Sequence, residues 1–373
     1  MRLNQFQLLG DVFSRLSLKG QQLVKTSRKW PKFSRLIVCG DNNRWVLSDI
    51  CRELEDVCSA LGVTVAPEEY RQLAKYQAVF FTNKYVLMNR RYIQQAIRCK
   101  HRIGLAYFHG DPSLDPGNIP LIRNLNKYNS YISRIQVSHS RMESVILDAG
   151  VDSDKIFRIP ISFDPNLFKR VSTSEKTHIR RELNIPISAT VVGSFQKDGI
   201  GWQKGNEPKL IKGPDIFLDV LSRLRERIPN LYVLLTGPSR GFVKNGLNKM
   251  NIPYTHNIVS DYRLIGRYYN ALDTYIVTSR EEGGPRAILE SMASGIPLIS
   301  TRVGQAIDLI QHESNGWLAN VDDIDALAHY LYLTIDKQNN LGDVLDAAYQ
   351  TAANNSYVAL LPIWKRCLDG FVD

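Results

Sequence analysis

The chain has 373 residues, is 44% hydrophobic and 23% charged, and carries a formal net charge of +10. At roughly 100–200 residues per domain that length predicts two domains, and the composition is that of a globular protein. No apolar run approaches the ~18–20 residues that cross a bilayer, and the opening MRLNQFQLLGDVFSRLSLKG has neither the apolar core nor the small-residue cleavage site of a secretory signal.

The charge is concentrated at the start. Residues 1–35 hold eight Lys/Arg against one acid, Asp11, a local balance of +7, so the remainder is nearly neutral. Phe6, Leu9, Phe13 and Leu16 fall at helical spacing there. A basic amphipathic helix of this kind can lie on an anionic membrane surface, each Lys or Arg contributing about 1 kcal/mol. The alternatives are a helix packed on its own domain and a frayed tail. No basic-aromatic ladder follows, so nucleic acid is not expected as a partner.

From residue 35 onward, short β-rich runs alternate with amphipathic stretches of helical length. The runs are RLIVC (35–39), QAVFF (77–81), IGLAYF (103–108), RIQVS (134–138) and KIFRIP (155–160), then ATVVGSF (189–195), LYVLLTG (231–237), DTYIVTS (273–279) and IPLIST (296–301). Between the first two, VLSDICRELEDVCSALG puts Ile50, Leu54, Val57 and Leu61 on one helix face. The alternation predicts an α/β protein with parallel sheets covered by helices on both faces. A polar, turn-rich break, SFDPNLFKRVSTSEK, divides it. The expected organisation is an N-terminal extension (1–34), a first doubly wound domain (35–168), a second (169–350) and a C-terminal helix (351–373) crossing back to the first. Two such domains face each other across a cleft, with ligands at the C-terminal ends of the strands. The five cysteines form no C-x-x-C pair. They read as buried free thiols in a reducing cytoplasm.

The densest stretch is SREEGGPRAILESMASGIPLIS (279–300). A strand ends at Val277 and a loop leaves it. Pro285 suits the first position of a helix that Gly295 stops. Gly283 and Gly284 leave room for a ligand to approach the backbone at a helix N-terminus, which favours anions such as phosphate. Glu282 sits at the mouth, and Glu290 is expected on the helix flank, within reach of a polar ligand. Taken singly, Glu282 would be a helix-start carboxylate, and Arg286 with Glu290 a surface ion pair of about 0.2–0.5 kcal/mol.

The E-G-G-P-R-A-I-L-E run, followed by S-M-A-S-G-I-P-L-I-S-T-R-V-G, resembles the E-x7-E signature of glycosyltransferase family 4, retaining enzymes of the GT-B fold. VSHSRMESVILDAGVDSDKIFRIPISFDPNLF, IKGPDIFLDVLSRL and DLIQHESNGWLANVDDIDALA extend the likeness over roughly residues 100–335. The resemblance implies two Rossmann-like domains and transfer of a sugar from a nucleotide diphosphate sugar, with a UDP-sugar the leading donor, to a hydroxyl of a glycan or lipid-linked glycan. It implies that Glu282 lies beside the donor sugar, that Glu290 holds the ribose, and that Gly283 and Gly284 offer N–H groups to the donor. His109, in FHGDP, matches a histidine that faces the donor sugar across the cleft.

The family neutralises the donor diphosphate with an arginine and a lysine. Lys212 matches the lysine, Ser194 stands where the arginine is expected, and Lys197 and Lys209 are candidates for the second cation. Gly40, Asp41 and Arg44 of GDNNRW are read as an acceptor-side loop. Asp152-Ser153-Asp154 and Asp323-Ile324-Asp325 spell D-x-D but are more simply turn and capping residues. The resemblance implies no required metal and no cofactor beyond the nucleotide sugar. The free thiols and the basic segment 1–35 give the expected location, a cytoplasm, peripheral to the inner face of the membrane. A GT-B pair that binds without turnover and a nucleotide-sugar epimerase are the other readings.

Overall fold

The structure, a computed structural model, describes residues 36–40, 46–66, 77–336 and 340–372. The amphipathic helix expected within residues 1–34, and Asp41 and Arg44, lie outside them. The first half runs β1 (Leu36–Cys39), α1 (Val46–Ala60), β2 (Val65–Ala66), β3 (Ala78–Phe81), α2 (Arg90–Arg98), β4 (Arg102–Ala106), α3 (Ile119–Tyr128), β5 (Ile132–Val137), α4 (Ser140–Asp148) and β6 (Ile156–Arg158). The second runs α5 (Thr173–Glu182), β7 (Thr190–Ser194), α6 (Pro214–Leu224), β8 (Leu231–Thr236), α7 (Gly241–Lys249), β9 (Tyr254–Asn257), α8 (Ile265–Asn270), β10 (Thr274–Val277), α9 (Ala287–Ala293), β11 (Leu298–Thr301), α10 (Ala306–Leu309), β12 (Trp317–Ala319), α11 (Ile324–Asp336), α12 (Gly342–Asn354) and α13 (Leu361–Leu368).

Each half builds a six-stranded sheet, ordered β2-β1-β3-β4-β5-β6 and β12-β11-β10-β7-β8-β9. The pairings are parallel. The strands are buried on both faces, as LIVC and LYVLLT are at every position. In the first sheet, Ile93 and Ala96 of α2 and Leu121 and Leu125 of α3 join Val79, Leu105 and Ile135 in one core, while Ile50, Leu54 and Val57 of α1 cover the opposite face. β2 and β9 escaped the sequence reading because they are edge strands. β2 has two residues, and YTHN of β9 is polar and half-buried, so neither shows an apolar period.

Strand order reverses between β1 and β3 and again between β7 and β10. Loops leaving adjacent strands diverge at such points and open a crevice. The two loops singled out from sequence, 195–213 and 279–286, leave β7 and β10.

The chain between β6 and α5 is more than a tether. Phe163 and Phe168 are buried, their rings 5.6 Å apart, and Phe168 lies 5.9 Å from Tyr269 of the second core. The expected single C-terminal helix is two. α12 packs on α9, and α13, with Pro362 in its first turn, returns to the first domain. There Trp364 and Phe371 meet Phe80 edge-on at 6.0 and 6.4 Å, and Arg134 Nε donates to Cys367 O at 2.8 Å. Among the described residues no helix is long and apolar enough to cross a membrane. Truncating Trp364 to Ala empties this contact and is expected to cost about 3–5 kcal/mol in urea unfolding.

Candidate active site

The site begins with one close approach. Gly213 caps α6 at φ +61°, and a Cβ there would lie 1.9 Å from Thr278 O. Only glycine permits this. Thr278 Oγ1 donates to Gly213 O at 2.8 Å, and Arg280 N to Ile211 O at 2.9 Å. Arg280 also grips Asp215 at 2.8 and 2.9 Å. The loops after β7 and β10 are thereby laced together, and Lys212 Nζ meets Glu282 Oε1 at 2.6 Å. Ser279 Oγ donates to the same oxygen at 2.8 Å.

The longer loop folds back on itself. Gly199 bridges Pro208, and Lys209 N donates to Asp198 O at 2.7 Å, which sets Lys197 and Lys209 on neighbouring stems. Lys197 lies over the Trp202 ring at 4.7 Å. Burial, then Lys212 and Lys197, lower the Lys209 pKa from its ordinary value. Three lysines close enough to repel one another form a ready anion site, and the N-terminus of the eleven-residue α6 begins just beyond Lys212.

Sequence reasoning missed the anchor of this loop. Arg240, at the β8–α7 turn, is 1% exposed. It donates to Ser194 O (2.6 Å), Thr236 O (2.8 Å) and Ser194 Oγ (3.1 Å), and pairs with buried Asp198 at 3.0 Å. A guanidinium thus does stand beside Ser194, supplied from a different strand end. It is consumed by loop contacts and holds the lysines from behind. Asp198-Gly199 gave no linear signal that the aspartate would meet an arginine 42 positions on.

The first domain closes the other side. His109 lies at the end of β4, its Nε2 3.5 Å from Tyr85 OH, and its carbonyl accepts from Lys84 Nζ at 2.6 Å. Burial, then Lys84, Lys212 and Lys209, push its pKa down to about 3. The lysines of the second domain therefore act on a histidine of the first. Lys84 is itself buried, and burial brings it down to about 8. The contacts between domains are specific. Gly110 N donates to Glu281 Oε1 at 3.2 Å, Ser138 Oγ to Gly283 O at 2.5 Å, and Ser140 N to Asp308 Oδ2 at 2.7 Å. Gln305, fully buried, bonds Ile161 through both N (2.9 Å) and O (3.2 Å).

Several expectations are corrected. A Cβ on Gly283 would meet Phe108 Cβ at 2.8 Å, and one on Gly284 would meet Gln305 Oε1 at 2.8 Å and Ile161 at 2.9 Å. These glycines admit the first domain to the loop, so the space above them is filled by protein. The helix starts at Ala287 rather than Pro285, with Arg286 as its cap. Glu290 is not on an open flank. It is 5% exposed, Tyr269 OH donates to Oε2 at 2.8 Å, and Tyr262 OH donates to Oε1. Arg286 reaches Glu290 at 3.7 Å and Glu53 of α1 at 3.4 Å, so the pair is an interior one spanning both domains. A Cβ on Gly40 would strike Cys51 Sγ at 2.0 Å and Thr82 Oγ1 at 3.0 Å, so this glycine serves packing of α1. Asp152 precedes the turn 153–155 and pairs with Lys155 at 3.2 Å without a side-chain capping bond, and Asp323 Oδ1 accepts from Ala326 N at 3.0 Å, as a capping residue does. Among the described residues no group of three or more His, Cys, Asp or Glu could hold a metal ion.

Known proteins share this architecture. HepE of Anabaena, solved in complex with UDP and glucose, superposes with a TM-score of 0.72 over 90% of this chain and 99% of its own, at 17% identity. The fold is GT-B. Residues 205–336, the heart of the second GT-B domain, match the sequence model of the family described as Glycosyl transferases group 1. The comparisons support that family. LpsB, a lipopolysaccharide core biosynthesis mannosyltransferase of Rhizobium meliloti, is 27% identical over 162 residues, 41% of this chain and 43% of its own. A UDP-Gal:alpha-D-GlcNAc-diphosphoundecaprenol alpha-1,3-galactosyltransferase of Escherichia coli is 29% identical over 139 residues, 35% of each. The chain thus matches less than half the length of these two relatives.

Two predictions follow from the geometry. Arg240→Ala strands Asp198 in the interior and should cost about 3–5 kcal/mol in chemical unfolding. His109 takes up a proton near pH 6.5 when unfolded and near 3 when folded. The unfolded state therefore binds more protons between those values, and stability falls as pH drops below about 6.5, by up to about 1.4 kcal/mol per unit. His109→Gln should reduce the slope by that share when unfolding is compared at pH 7 and pH 5, with His139 and His256, also held low by burial, keeping the remainder.

Proposed function

We propose that the protein is a retaining glycosyltransferase that moves a hexose from a nucleotide diphosphate sugar, a UDP-sugar foremost, to a hydroxyl of a glycan or lipid-linked glycan. The observation that carries this reading is the meeting of Lys212 and Glu282 at 2.6 Å, with Lys209 and Lys197 on the same loop and His109 facing them from the other domain. A sugar diphosphate brings to this spot what each group lacks: phosphate oxygens for the lysines and sugar hydroxyls for the glutamate.

As the anomeric C–O bond breaks, the anomeric carbon becomes oxocarbenium-like and charge develops on the departing diphosphate. Lys212, Lys209 and the α6 N-terminus are aimed at that charge, commonly the largest catalytic contribution. With cations supplied by side chains, the reading assigns no metal a part. His109, held neutral, presents a hydrogen-bonding imidazole to the sugar rather than a repelling cation. Glu290 is assigned to the ribose diol, which would take the place of the Tyr262 hydroxyl on Oε1. Gly283 and Gly284 would then offer N–H groups as the domains part to admit donor. The basic segment 1–35 is assigned to the inner face of a membrane, where a lipid-linked acceptor would lie. The curated relatives named for lipopolysaccharide core and diphosphoundecaprenol substrates support that acceptor class.

Calorimetric titration with UDP, GDP, ADP and their sugars tests the donor assignment. Lys212→Ala is expected to weaken donor binding about 10- to 100-fold, the worth of one charge-assisted hydrogen bond. Glu282→Gln should leave binding nearly intact and lower kcat by about 10²–10³-fold. If no nucleotide binds at millimolar concentration, a non-catalytic GT-B subunit replaces this reading. Sugar products formed without acceptor would replace it with an epimerase.

A further inference from the structure

Between Gln77 and Gly110 the chain holds six Lys/Arg and no acid. The fold gathers much of this charge on the outside of the first domain. Ile93 and Ala96 turn α2 toward the core, which leaves Arg90, Arg91 and Arg98 exposed. The short turn Lys84–Leu87 packs between α2 and α3, tied by Asn124 Nδ2 to Leu87 O at 3.0 Å. It presents Met88 at 41% exposure, and α3 contributes Ile119 at 47% and exposed Arg123. None of these four arginines has an ion-pair partner among the described residues. In the second domain exposed arginines are of both kinds: Arg223 pairs with Asp325 and Arg263 with Asp261, while Arg181 and Arg302 have no ion-pair partner among the described residues.

We propose that the α2–α3 face of the first domain is a docking surface for an anionic phospholipid bilayer. Unpaired cations meet lipid phosphates, and the aliphatic chains between them enter the headgroup boundary. Met88 and Ile119 favour lipid over nucleic acid, which would engage stacking aromatics and hydrogen-bonding side chains. The rim of this face is Tyr85, whose hydroxyl lies 3.5 Å from His109 Nε2. Docking there sets the mouth of the cleft against the membrane plane. The surface is built from residues outside segment 1–35, and its test uses neither donor nor turnover.

The experiment is co-sedimentation of the full chain with vesicles of phosphatidylcholine, with and without phosphatidylglycerol. At about fivefold in partition per charge, Arg90→Glu/Arg91→Glu should lower binding to the anionic vesicles by at least about 25-fold. Met88→Asp/Ile119→Asp should lower it as well. Arg223→Glu/Arg225→Glu changes net charge equally on the second domain and should leave binding within about twofold. Unchanged thermal melting certifies each fold, and Arg90→Gln/Arg91→Gln substitutes if the reversal variant does not fold. Equal losses from both reversal pairs overturn the proposal. So does full loss on neutralising Arg28, Lys29, Lys32 and Arg35 with no effect at Arg90 and Arg91. Transfer of the Arg90/Arg91 effect to a duplex oligonucleotide, with vesicle binding intact, replaces lipid by nucleic acid.

Discussion

A single steric constraint organises the second domain's working face: residue 213 has no Cβ, so Thr278 O can sit where one would be. Without that approach the loops after β7 and β10 would diverge, as loops at a switch point do. With it, Lys212 and Glu282 share a hydrogen bond although 70 residues apart. The remaining contacts reinforce the same seam. Arg280 clamps Asp215 and Asp322, and Gln196 Nε2 donates to Lys212 O at 2.9 Å. Charged groups at the centre are therefore placed by backbone geometry at Gly213 together with the Arg280 clamp.

Around that seam, buried charge is handled in two ways. Behind the lysines, Arg240 and Asp198 are both inside the protein and pair with each other, while Asp198 Oδ1 and Arg240 Nε stay buried without a hydrogen-bond partner, an arrangement that specifies one loop conformation more than it adds stability. In front, the lysines are partly exposed, and Lys209 is crowded by Lys212 and Lys197, with Glu282 of the same seam offsetting part of the repulsion. One loop carries both because Gly199 pairs with Pro208, turning Asp198 inward while Lys197 and Lys209 remain at the surface. The insertion that lengthens this loop is packed, not loose: its carbonyls at Lys204 and Gly205 accept from the first N–H groups of α7.

The two domains meet through small residues and side chains that bond backbone. Gly283 and Gly284 allow the loop after β10 to press on Phe108 and Ile161, Gln305 closes a two-bond ring with Ile161, and Arg286 joins Glu53 to Glu290. Burial raises the Glu53 pKa, with Arg286 opposing it. Such contacts form only in one relative placement of the domains, and they are few enough to part. α13 is different. It buries Trp364, Cys367 and Phe371 against the first sheet, so the chain crosses between domains twice and any motion hinges on both strands of that crossing.

What could be read from the sequence was whatever is local or periodic. Strands buried on both faces declare themselves as apolar runs, so the two parallel sheets were legible, as was α1 from Ile50, Leu54 and Val57. The E-x7-E stretch, Lys212 and His109 stood out because they resemble a family pattern, in the segments that follow β10, β7 and β4. What only the tertiary structure decided was every relation across the chain. Arg240 meets Ser194 and Asp198 through a turn that carries no signature. Glu290 is enclosed by two tyrosines of another segment, and Gly40, Gly283 and Gly284 are small because side chains distant in sequence occupy the space beside them. The physical reason is the same in each case. Hydrophobic period and chain-local capping act over a few residues and leave a mark in the sequence. Close packing and the pairing of buried charges act through space, between partners whose separation along the chain is set by topology alone.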